Sequence, residues 1–131
     1  MANANFECVR GPGKARVFVA GSFQPNGAAT TVSNVKGRYF TVAHTAGANT
    51  YTVTLADTFN DYDAIQLQIQ SPTLGLQVQV LAEPTFSTTK QFVIGLLDSS
   101  TKAAVNDQAF QANTRIHFVV WLKNTSLGAN Y

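Results

Sequence analysis

The stretch AIQLQIQSPTLGLQVQVLAEP, residues 64–84, decides the fold. In AIQLQIQ (64–70), Ile65, Leu67 and Ile69 fall on one face of an extended chain, and Gln66, Gln68 and Gln70 fall on the other. LQVQVLAEP (76–84) repeats the pattern, with Leu76, Val78 and Val80 set against Gln77 and Gln79. Side chains alternate with a period of two along a strand, whereas a helix would scatter these glutamines around its circumference. With SPTLG as the turn, the pair is expected to form a half-buried antiparallel hairpin, aliphatic side inward.

Strand signals continue on both sides. RVFVAGSF (16–23) reads as the first strand, and residues 24–37 read as a loop in which 31–35 pair at an edge at most. GRYFTVAHT (37–45) and NTYTVTLA (49–56) flank the turn Ala46-Gly47-Ala48, with the Thr, Tyr and Val enrichment that pleated surfaces favour. QFVIGLLD (91–98) is apolar on both faces. In RIHFVVWLKN (115–124), Ile116, Phe118, Val120 and Leu122 point one way, and Arg115, His117, Val119 and Trp121 the other. Val119 and Trp121 are out of place on a solvated face, and imply cover from a loop or a neighbouring subunit. TKAAVNDQAFQA (101–112) has room for one short turn of helix. The expectation is an all-β chain: an antiparallel β-sandwich, jelly-roll-like, as a single domain over 16–131. Residues 1–15 are polar and broken by Gly11-Pro12-Gly13, which resists regular pairing and predicts a flexible, extended N-terminal arm.

Composition narrows the function. Charged residues make up 12% of the 131 positions, against roughly a quarter in ordinary soluble domains. Gln, Thr, Asn and Ser take the outward places instead, a surface suited to a subunit inside an assembly. A net charge of +2 is too small to argue for nucleic acid or a membrane surface, and neither is expected as a partner. The first 38 residues nevertheless hold Arg10, Lys14, Arg16, Lys36 and Arg38 against Glu7 alone. An arm that orders on a partner can wrap a large surface. Phe6 and Val9 would be its apolar anchors, with Arg10, Lys14 and Arg16 meeting acidic groups; Val119 and Trp121 are the other expected partner contacts. Cys8 is the sole cysteine, so no internal disulfide forms, and reduced, cytoplasmic synthesis fits. The N-terminal sequence lacks the apolar stretch of a signal peptide. Asn124-Thr125-Ser126 has the form of a glycosylation acceptor, expected to go unused without export.

No catalytic constellation appears, and neither an enzyme nor any cofactor or metal is expected. The two histidines, His44 and His117, sit in strands with no Asp or Glu spaced to orient them. DTFNDYD (57–63) gathers Asp57, Asn60, Asp61 and Asp63, oxygen ligands of the kind calcium uses, but a turn between two strands accounts for them. Trp121, Tyr39, Tyr51 and Tyr62 raise a carbohydrate-stacking reading, against which stands a role in a sandwich core or interface. The glutamine face reads equally as a neutral solvated face or a subunit contact.

GRYFTVAHTAGANTYTVTLADTF (37–59) and RIHFVVWLKNTS (115–126) resemble segments of small β-domains in virion proteins of tailed bacteriophages, namely head decoration (cement) proteins and tail fibres or spikes. The resemblance implies a non-enzymatic virion structural protein, made in the host cytoplasm, that binds and stabilises the capsid. Its partners would be the major capsid protein or other virion subunits. The sparse charge and the outward Val119 and Trp121 also predict self-association, as a trimer ahead of a dimer. The alternative the resemblance implies is a receptor- or carbohydrate-binding β-domain of a tail fibre or spike. A cupin-like enzyme fits less well, because its metal site requires several histidines and a glutamate.

Overall fold

A computed structural model describes residues 9–11, 14–26, 31–45, 48–72, 74–98, 100–101 and 113–123, with backbone alone at 9–11 and 14–16. These residues form nine strands: β1 (Val9–Gly11), β2 (Lys14–Gln24), β3 (Ser33–Gly37), β4 (Phe40–His44), β5 (Thr50–Leu55), β6 (Asp61–Gln70), β7 (Leu76–Leu81), β8 (Gln91–Asp98) and β9 (Arg115–Lys123). The chain is an all-β sandwich. One sheet runs β1-β2-β9-β6, with β3 also paired to β2, and the other runs β4-β5-β8-β7. Every pairing is antiparallel.

The two alternating segments do not form the expected hairpin. β6 pairs with β9 in the first sheet, and β7 pairs with β8 in the second. The link after Gln70 crosses between layers, with Gly75 at φ 87° helping the turn. A period-two pattern says which side of a strand is inward, but not which strand lies beside it. Two neighbours in one sheet and two strands facing each other across a core satisfy it equally. The aliphatic side faces inward as expected along β6 and at the start of β7: Ile65, Leu67, Ile69, Leu76 and Val78 pack against the core, while Gln66, Gln68, Gln70 and Gln79 are exposed and Gln77 and Val80 are half-buried.

The first sheet begins earlier than expected. β2 starts at Lys14, and Val9–Gly11 pairs back on it with Val9 opposite Arg16 and Gly11 opposite Lys14. Part of the stretch expected to stay unpaired therefore contributes a short strand, because a two-residue connection is enough to close an antiparallel pair. Residues 1–8 lie outside the described residues, as does the helical turn expected within 102–112. β3 pairs with β2 at Gly21–Gly37 and Ser22–Lys36, then a bulge shifts the register before Gln24–Ser33, with Asn34 at φ 51°. Arg115 secures this corner. Its Nε donates to Ser22 Oγ at 2.9 Å, and its Nη2 donates to the Asn34 carbonyl.

Aromatic rings fill the space between the sheets. Phe40 of β4 meets Phe118 of β9 edge-on at 4.9 Å, and Phe118 meets Phe92 of β8 at 5.6 Å. Phe92 meets Phe86 at 6.2 Å, and Phe86 meets Tyr62 of β6 at 5.5 Å. A bulge at Asp63 makes the last contact compatible with the rest of β6, since the register shifts between Tyr62 and Ala64. One extra residue changes the inward parity from Tyr62 to Ile65, Leu67 and Ile69.

Phe40 imposes the tightest constraint. Its ring lies over the cross-strand pair Gly21 and Gly37. A Cβ on Gly21 would sit 2.3 Å from the ring, and one on Gly37 would sit 2.7 Å from it and 2.6 Å from the Ala20 carbonyl. Gly37 also holds φ +115°, which L side chains rarely adopt. Gly21→Ala is therefore expected to destabilise the fold by about 1–3 kcal/mol through overpacking. Phe40→Leu in the same chain should give back part of that loss. Chemical denaturation of the two single variants and the double variant measures the coupling; additive losses would mean that the ring does not set the constraint.

Candidate functional site

Both outward sheet faces are candidate contact surfaces, and they differ in chemistry. On the second sheet, Thr41 and Ala43 of β4 lie beside Thr54 and Thr52 of β5. β5 in turn pairs Thr50, Thr52 and Thr54 with Gly95, Val93 and Gln91 of β8. Beyond β8 come Gln77, Gln79 and Leu81 of β7, opposite Leu97, Gly95 and Val93. None of these outward positions carries a charge. The inward residues between them, Tyr51, Val53, Leu55, Phe92, Ile94 and Leu96, are buried. This explains why QFVIGLLD is apolar on both sides: Val93 and Leu97 belong to the outer face and are only half-buried, and Gly95 leaves room for Leu81, whose side chain would lie 3.2 Å from an added Cβ.

The first sheet's outer face carries an aromatic pair between charged ends. Trp121 packs on Phe18 at 5.2 Å with the rings inclined by 42°, and its Nε1 donates to Gln66 Oε1 at 3.1 Å. His117 Nε2 meets Gln70 Oε1 at 2.8 Å. The two bonds run diagonally from β9 to β6 and hold the outer two glutamines, with Gln68 exposed between them. A shallow depression of about 350 Å³ lies here, lined by residues 66–68 and 117–119. Lys123 Nζ lies 3.5 Å from Asp63 at one end, and Arg115 stands at the other.

The expected partner residues fall in one sheet. Val119 and Trp121 are outward and half-buried on β9. Val9 and Arg10 lie on β1, and Lys14 and Arg16 on β2, with the backbone register running Val9, Arg16, Lys123, Asp61 across four strands. The row beside it holds Phe18 and Trp121. Phe6 lies outside the described residues. Trp121 is thus covered in part by its own sheet, through Phe18. The uncharged face of the second sheet was missed as a unit. Its signal was present in TYTVTL and QFVIGLLD, but only pairing of β5 with β8 joins them.

The two histidines lie in different sheets. His44 is buried, stacked on Tyr51 at 4.3 Å and 11°, and held at 2.7 Å to the Ala48 carbonyl, which places the proton on Nε2. His117 lies in the other sheet against a neutral amide. Asp57, Asp61 and Asp63 do not gather; among the described residues no three His, Cys, Asp or Glu side chains converge to hold a metal. Asp61 instead accepts from the Tyr62 N–H at 2.8 Å, and Asp63 faces Lys123. Tyr62 is raised above the ordinary phenol range, first by burial, then by the charges of Glu83 and Asp61. No protein-family model, curated protein or solved structure matches the chain.

Among the described residues, Tyr51 and Asp98 give the fold's stability a dependence on pH. Burial pushes the Tyr51 phenol up to about 12, partly offset by the Asn26 backbone, yet among the described residues its hydroxyl has no hydrogen-bond partner of good geometry. Below pH 10 the phenol is neutral in both folded and unfolded chains. Between about 10 and 12 only the unfolded chain loses the proton, so stability falls as pH rises. Tyr51→Phe should flatten that alkaline loss and, by removing an unpaired buried hydroxyl, match or exceed the parent's thermal stability at pH 7. A lower melting temperature together with unchanged alkaline sensitivity would assign the hydroxyl a partner.

Asp98 closes the end of β8, where its Oδ1 accepts from Ser100 N, Ser100 Oγ and Thr101 N. Those bonds, led by the Thr101 N–H, hold its carboxyl down at about 2 rather than 3.8. Its contribution is complete above the unfolded value and is lost as pH falls toward 2. Asp98→Asn should therefore lower the urea midpoint at pH 6 and narrow its gap to the parent at pH 2; an equal gap at both would remove ionisation from the cause.

Proposed function

We propose that this chain is a non-enzymatic virion structural protein, a head decoration or cement protein that docks the outward face of β4-β5-β8-β7 on a capsid subunit. The uncharged face carries the reading. Covering a sheet face costs little where it holds threonine hydroxyls, amides and half-buried aliphatics, and much where it holds charges that must be desolvated. Simultaneous contacts on a symmetric lattice multiply modest affinities. The segment that resembles phage virion domains, 37–59, includes the β4–β5 hairpin, which supplies half of this face. The basic positions Arg10, Lys14 and Arg16 then serve a second contact, to an acidic patch on an adjoining subunit.

A receptor- or carbohydrate-binding role in a tail fibre is the second reading. It is favoured by Trp121 and Phe18 beside the shallow depression on the opposite face. Sugar rings stack on such aromatic surfaces, and Gln68 supplies an amide for a hydroxyl.

The test is occupancy on heads that lack the protein. Thr52→Lys puts a charge in the middle of the face at a stability cost within about 1 kcal/mol. It should reduce occupancy at least severalfold while leaving the melting temperature close to the parent's. Full occupancy by the variant would remove this face from the docking. Absence of the parent from heads, with binding to glycans that Trp121→Ala abolishes, would put the tail-fibre reading in its place.

A further inference from the structure

The two sides of the sandwich treat their edges differently. On one side the edges are guarded: β3 carries Lys36, the bulge at Asn34 and Gly37, and β4 is short and preceded by Arg38. Bulges, charges and short length are the devices that prevent strand-to-strand association. On the other side β6 is the edge of its sheet, and among the described residues no strand pairs with its outer side. From 64 to 70 it has neither a charge nor a bulge. β7, the edge beneath it, is also uncharged along Leu76–Leu81. A long, regular, neutral edge left open beside guarded ones is built for pairing.

We propose that β6 pairs antiparallel with β6 of a second copy of this chain about a two-fold axis at Leu67, making one continuous sheet across the dimer. The register follows from the strand. The Asp63 bulge limits the regular stretch to 64–70, and Leu67 is its centre, so only this register pairs the whole of it. Ile65 then faces the partner's Ile69, and Gln66 faces the partner's Gln68. Aliphatic residues meet aliphatic and amides meet amides, as a half-buried sheet requires. The antiparallel sense also sends Asp61 and Asp63 of the two copies to opposite extremities, where a parallel pairing would bring them together. A two-fold axis closes the assembly at two, which selects the dimer over the trimer. This pairing stands independently of what the outer faces bind.

The test uses the full chain and sedimentation velocity across the micromolar range. The parent should dimerise. Gln66→Lys with Gln68→Lys places like charges opposite each other twice and should weaken the dimer roughly tenfold or more. Gln66→Lys with Gln68→Glu makes those contacts attractive and should restore it; both positions are exposed, and circular dichroism checks the fold. Register is read by oxidation in a Cys8→Ser background. Gln66→Cys mixed with Gln68→Cys should give a disulfide-linked dimer, while neither alone should. Cross-linking of either alone would shift the axis to that residue and overturn the register. A monomeric parent, or a dimer indifferent to the paired lysines, would overturn the edge pairing, and a monomer that still fills heads would do so while leaving the decoration role intact.

Discussion

The ring of Phe40 over the glycine pair Gly21 and Gly37 is the constraint on which the sandwich depends. It brings a side chain of the second sheet onto the backbone of the first. Two strands of one sheet must therefore lack side chains where an aromatic of the other arrives. From Phe40 the contacts pass through Phe118 and Phe92, crossing from layer to layer, and then by way of Phe86 in the β7–β8 connection to Tyr62, linking β4 to β6. Each edge-to-face contact contributes about 0.5–1.5 kcal/mol beyond burial. Their larger effect is geometric. Interiors packed to crystal-like density transmit displacement, so the separation and offset of the two sheets follow from this row of rings.

Several departures from regular strand geometry exist to accommodate that interior. The bulge at Asp63 turns Tyr62 inward toward Phe86 without turning Ile65, Leu67 and Ile69 outward. Tyr39 and Lys90 hold left-handed backbones at φ 71° and 61°, and their carbonyls accept from Ala56 and Leu55 at the end of β5. A left-handed L-residue costs roughly 1–2 kcal/mol. Here the cost is offset by hydrogen bonds that terminate the central strand of the second sheet between its two neighbours. At the opposite end, Asn49 bonds both ways with the Leu96 backbone and Thr114 meets Ser71, so both ends of the sandwich are tied by specific polar contacts.

These internal demands shape what remains outside. With the aromatics and most aliphatics turned inward, the second sheet is left with threonine, glutamine and a few half-buried apolar side chains, and the first with an aromatic pair between charged ends. The sparse charge seen in the composition is thus spatially sorted. Charges stand at strand ends, bulges and guarded edges; the outer face of the second sheet, residues 64–70 of β6 and Leu76–Leu81 of β7 have none. Sorting of this kind makes association directional, because the neutral regions can be covered without stranding a buried charge.

Much of this was legible in the chain alone. The alternation in 64–70 and 115–123 determined the β class and which residues of β6 and β9 turn inward, because a strand's two faces follow from period two without reference to any neighbour. Val119 and Trp121 were recognisable as outward apolar residues for the same reason. Strand pairing was not legible. Residues 64–70 and 76–81 look like hairpin partners, yet they lie in different sheets, since the identity of a neighbour depends on long-range contacts that alternation does not encode. The neutral outer face, the paired glycines under Phe40 and the open edge at β6 share that origin. Each joins residues distant in the chain, and only the packing of one sheet on the other brings them together.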